Sequence, residues 1–230
     1  MSEIEFTVIM PVLNRADLLV ESLDAVFAQT RPARQVLVID GGSTDSTPSV
    51  ACRYPGVEFL VRPGSSVPVA HNVGFAAAEG SVIAFASSDD VLVPEALERH
   101  AAALDAQPDC GVSVGLTAFF GTRPHARTPD GLAGTVRRAR VLEAVAVRRH
   151  VVDQHGTFDE ALGPSADLEW LSRLADAGVS IVDVEEVVVR KRLHDGNVTY
   201  GREETAGEVL DAVRAIMRRR ASSAPKDDQT

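Results

Sequence analysis

Positive charge is scarce in this sequence, and lysine is scarcer still. The 230 residues carry 33 acidic and 23 basic side chains, a formal balance of −10, and only Lys191 and Lys226 are lysines. A net-negative chain is poorly suited to coating a phosphate backbone, which excludes bulk nucleic-acid binding but leaves room for a local phosphate site. Cysteine is nearly absent: Cys52 and Cys110 make no disulfide framework and lack zinc-site spacing, which fits a reducing cytoplasm. No apolar run approaches the roughly 20 residues of a membrane helix. The first, Phe6 to Leu13, is far shorter, and acidic residues precede it, unlike a signal peptide. Also missing are the GxGxxG of a dinucleotide fold and the GxxxxGK[ST] of a phosphate loop.

What is present is an ordinary globular composition, 45% hydrophobic and 24% charged. The length suits one large α/β domain or two small ones. FTVIMPV (Phe6 to Val12) and QVLVID (Gln35 to Asp40) are apolar, β-branched runs that read as buried strands. VEFLV (Val57 to Val61) and SVIAFA (Ser81 to Ala86) read the same way. Helical spacing lies between them, over Arg15 to Gln29, after Thr47-Pro48 as N-cap and first helical residue, and along VPVAHNVGFAAAEG. This alternation predicts a mostly parallel sheet with helices on both faces. Further along, the pattern predicts a helix over Pro94 to Ala106, a strand in CGVSVGLTAFF and a long loop from Gly121 to Gly134. A helix from Asp167 to Ala177 then precedes two strands, Ser180 to Val184 and Val187 to Leu193.

Open α/β sheets bind ligands beyond the carboxyl ends of their strands, which selects four stretches. In VIDGGSTDST, Asp40 ends a strand as a carboxylate able to accept from a base N–H or ribose hydroxyl, while Asp45 either shares that role or caps a helix. In FASSDD, two adjacent carboxylates call for a positive partner, a divalent cation or a helix start. In SADLEWLSRL, Asp167 reads as a general base or a dipole partner, and Glu169 as a dipole partner. In RKRLHDGNVT, His194 is suited to a metal or phosphate, with the arginines neutralising a diphosphate, although a lone loop histidine is more often structural. Arg218 to Arg220 complement the carboxyl end of the last helix, and Arg137, Arg138 and Arg140 read first as a solvated surface, and otherwise as facing a phosphorylated acceptor or an anionic membrane.

Together, VIMPVLNR, VIDGGSTDST, AHNVGFAAAEGSVIAFASSDD and SADLEWLSRLADAG with RLHDGNVT resemble family 2 glycosyltransferases of the GT-A fold, over about Phe6 to Thr199. The resemblance implies an inverting transfer from a nucleoside-diphosphate sugar, with uridine the commonest base, to a hydroxyl-bearing acceptor that the sequence does not name. It implies Asp40 at the nucleobase, with Pro11, Val12 and Asn14 lining the same pocket and Asp45, Asn72 and Ser88 beside the nucleotide. Asp89 takes the last position of a DxD motif and, with His194 nearby, implies Mn²⁺ or Mg²⁺. Asp167 matches the family's general base. Three positions depart from the pattern: Ser87 for the first DxD carboxylate, Ala166 for the acid before Asp167, and His71 for an arginine. These departures leave a degenerate nucleotide-sugar-binding module as the alternative.

The expected organisation is one GT-A domain over residues 1–202, with a nucleotide-sugar half (1–110) and an acceptor half (111–202). A C-terminal helix (203–221) and a disordered tail (222–230) follow. A stripe of Val209, Val213, Ile216 and Met217 on that helix packs on the core or on a second subunit, which leaves a homodimer open.

Overall fold

The computed structural model describes residues 3–121, 131–139, 141–194 and 205–223. Its first half is the alternation that the apolar runs predict. Strands β1 (Phe6–Val12), β2 (Gln35–Asp40), β3 (Val57–Val61) and β4 (Val82–Phe85) are mutually parallel in the order β3-β2-β1-β4. Helices α1 (Leu19–Phe27), α2 (Thr47–Ala51) and α3 (Val67–Ala77) connect them. Strand side chains alternate between faces. Val8 and Met10 therefore join one apolar cluster with Leu19, Leu23 and Leu97, and Ile9 joins the other with Phe75, Phe85 and Trp170. Both faces are covered, which is why β1 and β2 are apolar almost throughout.

The sheet continues through β8 (Val145–Arg148), β6 (Val112–Phe120), β9 (Ile181–Arg192) and the short β5 (Val91–Leu92), with β7 (Val136–Arg137) pairing β6. Beyond β4 the pairing is mixed: β8 is antiparallel to both its neighbours, and β9 is parallel to β6. Helix α4 (Ala96–Ala106) packs with α1 on one face, while α5 (Arg149–His155) and α6 (Ala166–Asp176) join α3 on the other. Among the described residues no helix is long and apolar enough to cross a membrane.

Several elements differ from the sequence reading. Helix α1 begins at Leu19, not Arg15, because the Arg15 and Ala16 N–H groups donate to Thr47 Oγ1 (2.9 Å) and Asp45 Oδ2 (3.3 Å). Thr47 is accordingly inside α2, whose N-cap is Ser46. The two strands expected after Ser180 are one, because β9 runs through Glu185 and Glu186 and absorbs the irregularity as a register shift against Val114 to Thr117 of β6. Gly115 makes that passage fit, since a Cβ there would stand 2.4 Å from Val188 Cγ2. Strand β8 has no counterpart in the sequence reading. Its apolar run is too short to show a period.

The last helix, α7, spans Thr205–Ser223, so its end takes in Ser222 and Ser223 from the expected tail; residues 224–230 lie outside the described residues, as does most of the Gly121 to Gly134 loop. Among the described residues of α7, Ala212 is the fully buried one; Val209, Val213 and Met217 are exposed and Ile216 is half-buried, so most of that stripe does not pack on the core. Arg219 and Arg220 do not merely face the helix's own carboxyl end. They reach across to α6, Arg219 to Glu169 and Asp176 (2.7 Å) and Arg220 to Asp176 (2.9 Å).

Gly74 lets α3 lie close to β1, for a Cβ there would come within 2.5 Å of Ile9 Cγ2. Overpacking of this kind costs about 1–3 kcal/mol, offset by roughly 1 kcal/mol from alanine's better helix propensity. Gly74→Ala is expected to lower stability by up to about 2 kcal/mol in urea unfolding, and a gain in stability would show that α3 is not held this tightly.

Candidate active site

The carboxyl ends of β1, β2 and β4 open on one side of the sheet, and the chain after each strand is held there by polar contacts. Asn14, after β1, adopts φ 51°, a left-handed conformation that asparagine tolerates. Its N–H donates to Ser43 Oγ (2.8 Å), and its Oδ1 accepts from Thr44 N–H (2.8 Å). Asp40, 1% exposed at the end of β2, accepts from the Ser43 N–H (3.0 Å) and hydroxyl (2.5 Å). Asp45 accepts from Thr47 N–H (2.9 Å), and hydrogen bonding by Thr47 holds its carboxyl below the usual range.

These loops wall a cavity of about 500 Å³, a size typical of small-ligand sites. Of the residues expected at the site, Pro11, Val12, Asn14, Ser88, Asp89 and Asp167 line it. Asp40, Asp45 and Asn72 stand behind its wall. Asn72 exchanges hydrogen bonds with the Phe158 backbone (3.0 Å each) and donates to Glu160 (2.9 Å), pinning a segment whose Phe158 lines the cavity. His194 lies outside the lining but touches it through Asp89.

The amino end of α3 forms another wall, with Ser65, Ser66, Val67 and Pro68 on the cavity. Helix amino ends carry partial positive charge and unpaired N–H groups. Ser65 Oγ is buried and has no hydrogen-bond partner among the described residues. The pattern Ser66-Val67-Pro68 is a helix-start signal, so this wall was legible in principle.

At the end of β4, Ser87 Oγ donates to Asp89 Oδ1, and His194 Nε2 lies 2.9 Å from Asp89 Oδ2. Burial alone would raise the Asp89 carboxyl, but Ser87, Lys191 and His194 together hold it below the usual range. Asp90 points away from the cavity, bonded to Lys191 Nζ and to the Arg192 N–H, both at 2.8 Å. Lys191 is 8% exposed. Burial opposes its charge, yet Asp90, Glu143 and Asp89 outweigh that and raise it well above a free lysine. It lines the cavity with Glu143, 3.4 Å away. The neighbouring arginines point the other way: Arg190 and Arg192 both stack on Phe120 at 4.6 Å, because strand residues alternate sides. Lys191, not the arginines, brings positive charge to the cavity from β9.

Asp167 sits in the first turn of α6 and on the cavity. Burial pushes its carboxyl up to about 6, against an opposing hydrogen bond from the Leu168 N–H (2.7 Å). Beneath it, Trp170 is fully buried among Phe75, Phe85 and Phe158, with its Nε1 donating to Gly156 O (2.9 Å). Glu169 faces away, paired with Arg173 (3.2 Å) and Arg219.

Among the described residues no three His, Cys, Asp or Glu side chains gather as a metal cage. An ionised Asp89 beside His194 fits a two-donor cation site, which diphosphate oxygens and water would complete. Glu143 escaped the sequence reading because it lies in a stretch with no periodic or turn signal.

Residues 7–158 match the family described as glycosyl transferase family 2. Glycosyltransferase AglE of Haloferax volcanii is 30% identical over 203 residues, which is 79% of this chain and 65% of that protein, so this chain spans less than two thirds of that relative. An uncharacterized glycosyltransferase of Mycobacterium bovis is 28% identical over 227 residues, covering 92% of this chain and 94% of that protein. Among solved structures, residues 1–349 of S. aureus TarS in complex with UDP-GlcNAc match with a TM-score of 0.76 at 20% identity, over 97% of this chain and 68% of that one. Strand order, cavity and family match agree: this chain belongs to glycosyl transferase family 2 and carries its GT-A fold.

Proposed function

We propose that this protein moves a sugar from a nucleoside-diphosphate sugar to an acceptor hydroxyl with inversion. The observation that carries this reading is that Asp89 and Asp167 open on one cavity in different states, the first held ionised and the second raised by burial to about 6. Environments that push two carboxyl groups apart mark distinct roles. Solved TarS structures in complex with UDP and UDP-GlcNAc share the fold, which supports a uridine sugar as donor. Asn14 and the loops pinned by Asp40 and Asp45 frame the nucleotide, while the amino end of α3, Ser65 and Lys191 face its phosphates.

In the reaction, the Asp167 carboxylate takes the proton of the acceptor hydroxyl. The acceptor oxygen attacks the anomeric carbon as the bond to the phosphate oxygen breaks, and that oxygen leaves with the electron pair. Attack opposite the leaving group inverts the centre. Asp89 and His194 would hold Mn²⁺ or Mg²⁺, which stabilises charge on the leaving diphosphate when bound. The free thiols, Cys52 and Cys110, suit a reducing cytoplasm.

Thermal unfolding with UDP, GDP, TDP and CMP, each with and without Mn²⁺, tests the donor site. At a hundred times its dissociation constant, the right nucleotide should add about 2.7 kcal/mol. That corresponds to roughly 5–10 °C for a chain of this size. The gain should vanish with chelator and in Asp89→Ala, and no shift with any nucleotide would sink the assignment.

A second reading has its own support. Ser87 gives its hydroxyl to Asp89 where the family pattern has a carboxylate, and Ala166 brings no acid beside Asp167. A domain that binds a nucleotide sugar without transferring it would show that chemistry, and it would bind the donor with no release of nucleoside diphosphate.

A further inference from the structure

His71 lines the cavity and plays no part in the scheme above. It lies in α3, one turn beyond Val67, and is 6% exposed. Its ring meets Phe85 and Phe158 edge-on, with centroids 5.7 and 5.3 Å apart. These contacts place it between two working parts of the site. Phe85 is two residues before Ser87 on the strand that delivers Asp89, and Phe158 belongs to the segment leading to α6 and Asp167.

The hydrogen bonding of the ring decides what it offers. Nδ1 lies 3.0 Å from Val67 O. A carbonyl only accepts, so Nδ1 carries the proton. Burial lowers the imidazole to about 4, against smaller raising effects of Val67 and Glu143, so the ring is neutral near pH 7. In that tautomer Nε2 is a bare acceptor. The buried side-chain atoms without partners among the described residues are Ser65 Oγ, Thr117 Oγ1 and Glu208 Oε2. Nε2 is not one of them and no side chain bonds it among the described residues, so it opens on the cavity that His71 lines.

A donor whose phosphates rest near Asp89 and the amino end of α3, and whose anomeric carbon faces Asp167, must lay its sugar across this stretch of cavity. We infer that His71 is a sugar-binding residue, whose Nε2 accepts a hydrogen bond from a hydroxyl of the transferred sugar. The inference rests on the donor site proposed above. It assigns this position an acceptor where a cationic side chain would supply only donors.

Calorimetric titration with bare UDP and GDP and with UDP-GlcNAc, UDP-glucose and GDP-mannose tests it, using wild type, His71→Ala, His71→Gln and His71→Arg. Losing one neutral hydrogen bond should weaken the preferred nucleotide sugar about three- to tenfold in His71→Ala, with the bare nucleotide unchanged. His71→Gln, which puts a carbonyl oxygen near the Nε2 position, should recover part of the loss, and His71→Arg should not. Equal weakening of nucleotide and nucleotide sugar would mean a packing or nucleotide role and overturn the inference, as would no weakening of either. If His71→Ala does not fold, the contrast between Gln and Arg decides: equal affinities for the sugar donor would overturn the inference. Wild type that binds no nucleotide or nucleotide sugar would instead overturn the donor site itself.

Discussion

Asp167→Asn is expected to lower sugar transfer by about 10²–10⁴-fold, the range for loss of a positioned general base. Asparagine fills the same space at the start of α6 and still accepts the Leu168 N–H, so nucleotide binding should be unchanged. The pH dependence carries the sign of the mechanism. A base must be ionised to act, and burial places this group at about 6. Transfer should therefore rise with pH, reach half its plateau near 6 and fall about tenfold per unit below it. The same burial bears on stability. A carboxyl group raised in the folded state binds its proton more tightly there than in the unfolded chain. The folded state therefore loses stability as pH rises from about 4 through 6, and the loss is complete above. Asp167→Asn removes that cost, so the variant should be as stable as wild type or up to about 3 kcal/mol more stable at pH 8. Full transfer activity with a verified donor would contradict the base assignment.

Lys191→Met should be the most destabilising conservative change at the site. The ammonium group is 2.8 Å from Asp90 Oδ2 and 3.4 Å from Glu143, and Asp90 is 3% exposed. Methionine keeps most of the volume but leaves Asp90 with only the Arg192 N–H. Breaking one partner of a buried pair typically costs about 3–5 kcal/mol, because a charge is left without compensation. At neutral pH that corresponds to a fall in Tm on the order of 10 °C. Asp90→Asn with Lys191→Met should recover part of it, since the double variant leaves only the part-exposed Glu143 without its cation. A Tm within a degree or two of wild type would show that the Asp90–Lys191 pair does not hold this part of the site together.

The comparison with sequence turns on side-chain direction. Strands β1 to β4 were legible because their apolar runs are dense, β-branched and bounded by turns. Strand β8 was not, because VAVR is a short run buried by neighbours that come from distant parts of the chain. In the site, motif position locates loops but not where side chains point. Asp40 and Asp45 turn into local hydrogen bonds with Ser43 and Thr47, and Asn72, inside α3, bonds the distant Phe158 and Glu160, so none of the three lines the cavity. On β9 the RKR run offers three cations, and only the strand's parity decides that Lys191 faces inward. Glu169 and Arg219 look like helix-end charges in sequence and are instead the fastening between α6 and α7.

The proposed function requires this cavity to cleave a nucleotide sugar rather than merely hold one. Release of nucleoside diphosphate tests it most directly, measured on purified wild type with a panel of nucleotide sugars, in Mn²⁺ and in chelator. Slow release from one donor is expected, with water standing in for the acceptor, and it should be lost in chelator and in Asp167→Asn. Tight, metal-dependent binding of a donor with no release above the uncatalysed rate, even with added acceptor extracts, would contradict it.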